Sequence, residues 1–208
     1  MIEVIPLFPT VIYKNDISND ITEECVNNAK QEDYIRTTPD NGWISQNQNI
    51  HKESKYADLF AALDYHVDFY CKDILKIKND IRLECLNSWF VMNSGADFTQ
   101  DHFHATSMVS GVLYLDAPEG SSPLSFHCDL YKNHGFGTFF PLEYEEMNSF
   151  NATTYHMDVD DGILVLFPSN LRHSVKPNRN DVNRYALAFN YIPTGEMSVG
   201  ANKIKLSI

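Results

Sequence analysis

Three histidines in the second half of the chain have the spacing of metal ligands. His102 and His104 are separated by one residue, and His173 lies on a later apolar segment. Residues i and i+2 of an extended chain point to the same side, so the first two imidazoles can converge on one point. Three protein ligands leave positions open for water, a cosubstrate and oxygen, as a catalytic iron site requires. The pattern therefore predicts a catalytic metal site.

Two further features bear on this site. Arg184 follows His173 on another predicted strand, where its guanidinium can pair with the carboxylate of an anionic cosubstrate. Residues 127–129 read His-Cys-Asp, a second motif that, together with His173, would give the metal two imidazoles and one carboxylate. The residue types alone leave open whether His104 or Asp129 supplies the third ligand.

The elements that must position these side chains are predicted from the periodicity of apolar residues. After residue 80 the chain is a series of short apolar or alternating runs separated by turn residues, which is typical of a β sandwich or barrel. The predicted strands are residues 82–92, 108–115, 124–127, 153–159, 163–167, 173–175 and 185–191. Residues 129–146 are rich in Gly, Phe and Tyr and are expected to form an inserted loop or lid.

The first 80 residues have a different character. Apolar residues at three- and four-residue steps predict helices over residues 16–30 and 56–75. Residues 2–13 are expected to be an extended edge segment, because they contain two prolines. Residues 31–50 are polar and turn-rich and predict a loop near the mouth of the barrel.

Composition bounds the possible classes of function. The chain has 208 residues, 43% of them hydrophobic and 12% aromatic, which suits one domain with a substantial core. Its net charge of -12 disfavours a nucleic-acid binder and docking on anionic lipid. Four widely spaced cysteines indicate reduced thiols, and no stretch is apolar enough to span a bilayer. We expect a cytoplasmic protein.

The stretch of residues 87–193 resembles the 2-oxoglutarate/Fe(II)-dependent dioxygenases, and more narrowly a bacterial and phage group of oxygenases. Four motifs carry the resemblance, and the opening Ile-Pro-Leu-Phe-Pro-Thr of residues 5–10 also fits. They are His-Phe-His at 102–104, Ser-Gly-Val-Leu-Tyr-Leu at 110–115, Phe-Pro-Ser-Asn-Leu-Arg-His at 167–173 and Asn-Arg-Tyr-Ala-Leu-Ala-Phe-Asn at 183–190.

The resemblance implies a mainly β protein with flanking helices, built on a double-stranded β-helix, or jelly-roll, like the cupin barrel. It implies one domain over residues 1–208, with an edge strand and supporting helices in 1–80 and the jelly-roll core in 81–193. It implies hydroxylation of a C–H bond with Fe(II) and 2-oxoglutarate, and ascorbate as a possible reductant. The implied site residues are His102, His104 and His173 for the metal, and Arg184, Tyr114 and Asn93 for 2-oxoglutarate.

His104 departs from the family pattern. The superfamily usually has Asp or Glu at this position, so three imidazoles would leave the site one negative charge short. Asp101 is adjacent to His102 but would point to the opposite face of a regular strand. Asp129 remains the alternative, although residues 124–126 before it match a later strand of the family and not the metal-bearing edge.

Two other classes of function stay open. A cupin-like metalloprotein would bind metal and ignore 2-oxoglutarate; residues 162–178 approach its second motif, but the Glu of its first motif is missing after His104. A jelly-roll binding module would hold no stoichiometric metal. The substrate, a small molecule or a protein side chain, cannot be read from the sequence, and an exposed N-terminal edge strand could support a homodimer.

Overall fold

The computed structural model describes residues 1–6, 8–38, 41–128, 143–177, 181–199 and 202–207, and these form two antiparallel sheets with helices against the larger one. The helices are α1 (Glu23–Gln31) and α2 (Ala57–Asp68), and a π-helical segment, Phe69–Ile74, continues α2. The strands are β1 (Tyr13–Asp16), β2 (Tyr34–Arg36), β3 (Trp43–Ser45), β4 (Arg82–Asn93), β5 (Thr99–His102), β6 (Val109–Asp116), β7 (Leu124–His127), β8 (Thr154–Met157), β9 (Ile163–Pro168), β10 (Arg172–Val175), β11 (Arg184–Val199) and β12 (Asn202–Leu206).

The two sheets divide these strands between them. The larger sheet has the order β1-β9-β6-β11-β4-β3-β2, with β12 paired to β11, and the smaller sheet has the order β5-β10-β7-β8. The predicted fold class, mainly β with flanking helices, is confirmed. The strands that carry the predicted site residues pair with strands far away in sequence, such as β5 with β10 and β4 with β11, so these residues meet only when the sheets have formed.

Each face of the larger sheet is buried against a different layer. One face packs on α2 through residues such as Leu113 and Leu187, and the other packs on the smaller sheet through Tyr114 and Ala186. Successive side chains of a strand point to opposite faces, so a strand buried on both sides is apolar at almost every position. This explains the continuous apolar run in β6 and tells which of its residues face the interior between the sheets.

The N-terminal part differs from the expectation in three places. The first helix begins at Glu23 and not at residue 16, because Thr22 caps it by accepting a hydrogen bond from the Cys25 N–H at 3.1 Å. The expected loop of residues 31–50 contains β2 and β3, which extend the larger sheet beyond β4. The edge segment expected over residues 2–13 is displaced: the strand at the opposite edge of that sheet, β1, covers Tyr13–Asp16 and pairs with β9.

Two further findings concern the cysteines and the length of the helices. Among the described residues, Cys25, Cys71, Cys85 and Cys128 form no disulfide. Within the described part of the chain, the helices are too short or too polar to cross a membrane.

Candidate metal centre

The three predicted metal histidines come together at one end of the smaller sheet. His102 is the last residue of β5 and lies directly opposite His173 of β10 in the antiparallel ladder. Their ring centroids are 4.2 Å apart, and the ring of His104 is 5.2 Å from each. One nitrogen from each ring lies within 4.8 Å of the others, so three donor atoms converge on one small volume.

Backbone carbonyls orient two of these rings. The Nδ1 of His102 is 2.7 Å from the Gln100 carbonyl oxygen, and the Nδ1 of His173 is 2.9 Å from that of Leu171. A carbonyl oxygen only accepts, so each Nδ1 carries the proton and each Nε2 keeps its lone pair. Hydrogen bonding of this kind on the non-ligating nitrogen is a regular feature of metal-bound histidines.

His104 is held differently, because β5 ends two residues before it. Its backbone N–H donates to the Ser169 carbonyl at 2.8 Å, and its ring stacks on Trp89 with centroids 6.0 Å apart and planes at 17°. His104 therefore lies outside the strand, and the alternation of an extended chain does not by itself account for its position. The contacts to Ser169 and Trp89 hold His104 in position in place of strand hydrogen bonds.

Burial keeps the two inner imidazoles neutral. It lowers the pKa of His173 to about 3, helped by the neighbouring His102, and His173 is only 7% exposed. Burial together with His102 lowers the pKa of His104 to about 4. Neutral imidazole is the form that binds metal, and a set of three nitrogen donors suits iron, zinc, copper or nickel and not calcium or magnesium. The donor set thus fits a transition-metal ion.

The neighbouring acid and the second histidine motif point away from this cluster. Asp101 forms an ion pair of 2.6 Å with Arg172, on the outer face of the smaller sheet. His127 is the ladder partner of Arg172 and therefore shares that outer face, where its Nε2 is 2.7 Å from the Ser174 hydroxyl. Asp129 lies outside the described residues. His127 does not join His173, so the structure does not assemble the alternative site.

Arg184 is a buried cation at the start of β11. It is 3% exposed, and its guanidinium donates to the Ser122 carbonyl and to the Asn93 side-chain oxygen, both at 2.8 Å. Its Cζ lies 5.4 Å from the centre of the Tyr114 ring. Among the described residues no carboxylate pairs with Arg184, and its Nε has no hydrogen-bond partner. Burying a charge without a counter-charge is costly, so the pocket suits an anionic ligand.

Gly42 contributes to this pocket and was missed by sequence reasoning. A Cβ at residue 42 would lie 2.3 Å from the Nδ2 of Asn93, a contact too short for any side chain. The Gly42 N–H also donates to the Phe98 carbonyl at 2.9 Å, which ties the segment before β3 to the segment before β5. The only sequence signal was a glycine in a turn-rich stretch, and nothing there pointed to Asn93.

The aromatic candidates for a substrate pocket are placed unequally. Trp89 stacks on His104, whereas the Phe103 side chain is 54% exposed. Residues 136–140 lie outside the described residues. A row of residues that are ladder partners, Ile35, Ile44, Val91 and Ala186, crosses the larger sheet on the same face as Trp89. Ile35 is 41% exposed, and the row extends past the buried core.

Comparison with known proteins decides the family. The family profile described as "Putative 2OG-Fe(II) oxygenase" matches residues 87–190, which is half of the chain. The chain belongs to this family. All six predicted site residues lie inside the matched stretch of this 2-oxoglutarate/Fe(II) oxygenase. Membership confirms the predicted enzyme class, with iron and 2-oxoglutarate as its cofactors, over the cupin-like and binding-module alternatives.

Solved structures share the fold at low sequence identity. The epimerase SnoN from nogalamycin biosynthesis is 10% identical with a TM-score of 0.62, over 88% of this chain and 78% of that one. A Pseudomonas putida prolyl-4-hydroxylase is 15% identical with a TM-score of 0.57, over 88% and 92%. HygX from Streptomyces hygroscopicus, with nickel and 2-oxoglutarate bound, is 15% identical with a TM-score of 0.58, over 89% and 84%. No curated protein matches the chain. The jelly-roll prediction is confirmed.

Proposed function

We propose that the oxygenase hydroxylates a C–H bond of its substrate, with Fe(II) held by His102, His104 and His173 and 2-oxoglutarate held by the pocket around Arg184. The observation that carries this proposal is the pairing of two sites between the same two sheets. One is a cluster of three imidazoles that suits a transition metal. The other is a buried guanidinium without a carboxylate partner among the described residues.

The three histidines hold the metal, and the bound cofactors supply the chemistry. The lone pairs of the three imidazoles face the metal position, and the carbonyls of Gln100 and Leu171 fix two of the rings. With Fe(II), 2-oxoglutarate and dioxygen bound, the site supplies an oxidant that converts substrate C–H to C–OH, while 2-oxoglutarate becomes succinate and carbon dioxide. The chain itself supplies orientation and the exclusion of water.

The pocket around Arg184 recognises the far carboxylate of the cosubstrate. The Asn93 oxygen and the Ser122 carbonyl hold the guanidinium in place, leaving the Nε–H free to donate to a bound anion. Burial raises the pKa of Tyr114, so its hydroxyl stays protonated and can donate to the same carboxylate. A protonated phenol beside a guanidinium gives the pocket two kinds of donor for one carboxylate.

The row of Ile35, Ile44, Val91 and Ala186 supports a substrate with an apolar part. This row lies on the same face as Trp89, whose ring stacks on His104, so a molecule on the row would reach the metal. Trp43 and Trp89 are the chain's two tryptophans. In a Trp43→Phe variant, a substrate bound there should change the emission of Trp89. A molecule that is turned over without any such change would contradict this placement.

Four cysteines that form no disulfide in the described structure support an enzyme of the cytoplasm, where thiols stay reduced. The substrate can be a small molecule or a protein side chain, since the row is open at the β2 end. A homodimer through β1, the edge strand of the larger sheet, remains a prediction. Sedimentation of the purified protein at several concentrations tests it.

The experiment that tests the proposal is cosubstrate turnover. Protein supplied with Fe(II), ascorbate, dioxygen and 2-oxoglutarate should form succinate, slowly in the absence of substrate. His173→Ala should form none, whereas His127→Ala, which removes the same side chain from the outer face of the same sheet, should behave like wild type. A wild-type protein that binds neither Fe(II) nor 2-oxoglutarate would overturn the proposal. One that binds metal and ignores 2-oxoglutarate would favour the cupin-like alternative.

A further inference from the structure

A cluster of polar side chains is buried behind His104, on the face of the larger sheet that looks toward the smaller sheet. Asn190 of β11 lies between Ser110 of β6 and Asn87 of β4, its ladder partners on either side. Ser169, just beyond β9, completes the cluster. Ser110 and Ser169 are each 1% exposed and Asn190 is 4% exposed. Apolar side chains fill most of this face elsewhere, so a buried polar cluster here calls for a reason.

The hydrogen bonds of the cluster fix the orientation of the Asn190 amide. Its Nδ2 donates to the Asn87 side-chain oxygen at 2.8 Å, so its Oδ1 must face the other way. There Oδ1 is 2.7 Å from the Ser110 hydroxyl, which is in turn 2.9 Å from the Ser169 hydroxyl. A carbonyl oxygen has two lone pairs, so Oδ1 can accept one more hydrogen bond besides that from Ser110.

The cluster meets His104 at two points. The Asn190 side chain lies close enough to the His104 ring to raise the pKa of that ring as a hydrogen-bond partner, against the larger lowering by burial and by His102. The Ser169 carbonyl accepts the His104 backbone N–H at 2.8 Å. The ring and the backbone of this one ligand are thus both tied to the same group of residues, although His104 lies outside β5.

The other two ligands do not need such help. His102 and His173 each donate Nδ1–H to the carbonyl of the residue two positions earlier. We infer that Asn190 is the positioning residue of His104: its Oδ1 accepts the N–H of one ring nitrogen and thereby turns the other nitrogen toward the metal. This inference rests on the proposed metal site. It makes Asn190 the one side chain in the described structure that does for a ligand what backbone carbonyls do for the other two.

The test measures metal affinity and needs no substrate. Apo-protein is titrated with Co(II), followed by its visible absorption, for wild type, Asn190→Leu and Asn190→Asp. Losing the partner of a metal-bound histidine typically lowers affinity about 10- to 100-fold, which is the loss expected for Asn190→Leu. Asn190→Asp keeps the acceptor and adds a negative charge that strengthens the imidazole as a ligand, so it should bind Co(II) at least as tightly as wild type.

A matched control separates positioning from general damage. Thr194→Val removes a buried polar side chain from the same strand β11, where its hydroxyl donates to Glu84 at 2.6 Å, and it should leave Co(II) affinity unchanged. If Asn190→Leu does not fold, Asn190→Ser replaces it, because a serine hydroxyl can bond to Ser110 but is too short to reach the imidazole.

Three results would overturn the inference. Unchanged Co(II) affinity in a folded Asn190→Leu or Asn190→Ser protein contradicts it, and so does an equal loss in Asn190→Asp and Asn190→Leu. Both of these results would leave the proposed metal site standing. A wild-type protein that binds no Co(II) overturns the metal site and the inference together, so the two failures can be told apart.

Discussion

His102 and His173 are direct partners in the antiparallel ladder between β5 and β10, with their ring centroids 4.2 Å apart. Side chains of ladder partners point to the same face of a sheet, so strand register alone brings these two imidazoles together. On its other side, β10 pairs with β7, and this ladder places Arg172 opposite His127 on the other face of the sheet. One sheet therefore separates an inner face that can bind metal from an outer face of charged and polar residues.

This separation predicts that the two faces respond differently to the same substitution. His102→Ala should abolish stoichiometric binding of Fe(II) or Co(II), because it removes one of three converging donors. His127→Ala should leave the stoichiometry at wild-type level, because its ring bonds to Ser174 on the outer face. Metal analysis after desalting measures both. Loss of metal in His127→Ala with retention in His102→Ala would contradict the assignment of the inner face.

The pocket around Arg184 makes a second prediction. Arg184→Ala should weaken 2-oxoglutarate binding by about 2 kcal/mol or more, roughly 30-fold, because it leaves a buried carboxylate without its partner. Calorimetry on the Co(II)-loaded protein measures the change. Arg172→Ala is the control, since it removes an exposed guanidinium paired with Asp101. Equal affinity in wild type and Arg184→Ala would show that the cosubstrate binds elsewhere.

Gly42 gives a third prediction, through Asn93. Gly42→Ala would push the Asn93 side chain away from a Cβ that otherwise lies 2.3 Å from its Nδ2. The shift loosens the acceptor that holds Arg184, so the Kd for 2-oxoglutarate should rise several-fold while Co(II) affinity stays the same. Thr38→Ala, an exposed change in the same connection between β2 and β3, should alter neither. If Gly42→Ala weakened metal binding and left the cosubstrate unaffected, the coupling through Asn93 would be wrong.

Asp64 makes a fourth prediction, on stability against pH. It accepts a hydrogen bond from the buried Tyr191 hydroxyl at 2.5 Å, and partial desolvation of its carboxyl group raises its pKa above the ordinary value of 3.8, although the residue as a whole is exposed. The folded protein then binds more protons than the unfolded chain between these two pKa values, so stability falls as pH rises through that window. Urea unfolding at a series of pH values should show that the free energy of unfolding falls less with rising pH in Asp64→Asn than in wild type. Parallel profiles of stability against pH in wild type and Asp64→Asn would contradict this prediction.

The parts of the molecule that sequence predicts well are those set by local periodicity. The expected strand over residues 124–127 is observed as β7, Leu124–His127, and the expected strand over 82–92 as β4, Arg82–Asn93. Both have apolar residues at positions dictated by a buried face. The three-residue strands β2 and β3 were missed because they lie in a polar stretch and are too short to show a period.

The candidate site was predictable to the extent that residue type alone reveals chemistry. The side-chain chemistry of histidine and arginine indicates metal and anion binding, so these residues could be identified before the fold was known. Asn190, Gly42 and the Ser122 carbonyl could not, because their roles come from pairing across the sheet or from a backbone atom. A polar residue inside an apolar strand, as at Ser110 and Asn190, was the one signal in the sequence that pointed to the buried cluster.

The central claim is that one site holds Fe(II) on His102, His104 and His173 beside 2-oxoglutarate on Arg184. Anaerobic titration of the apo-protein with Fe(II) and then 2-oxoglutarate tests it most directly, through the weak visible charge-transfer band of the chelate. The band should appear in wild type and His127→Ala, and it should be absent in His104→Ala and strongly weakened in Arg184→Ala. A band that persists in His104→Ala, or that never forms in wild type with Fe(II) bound, would contradict the account.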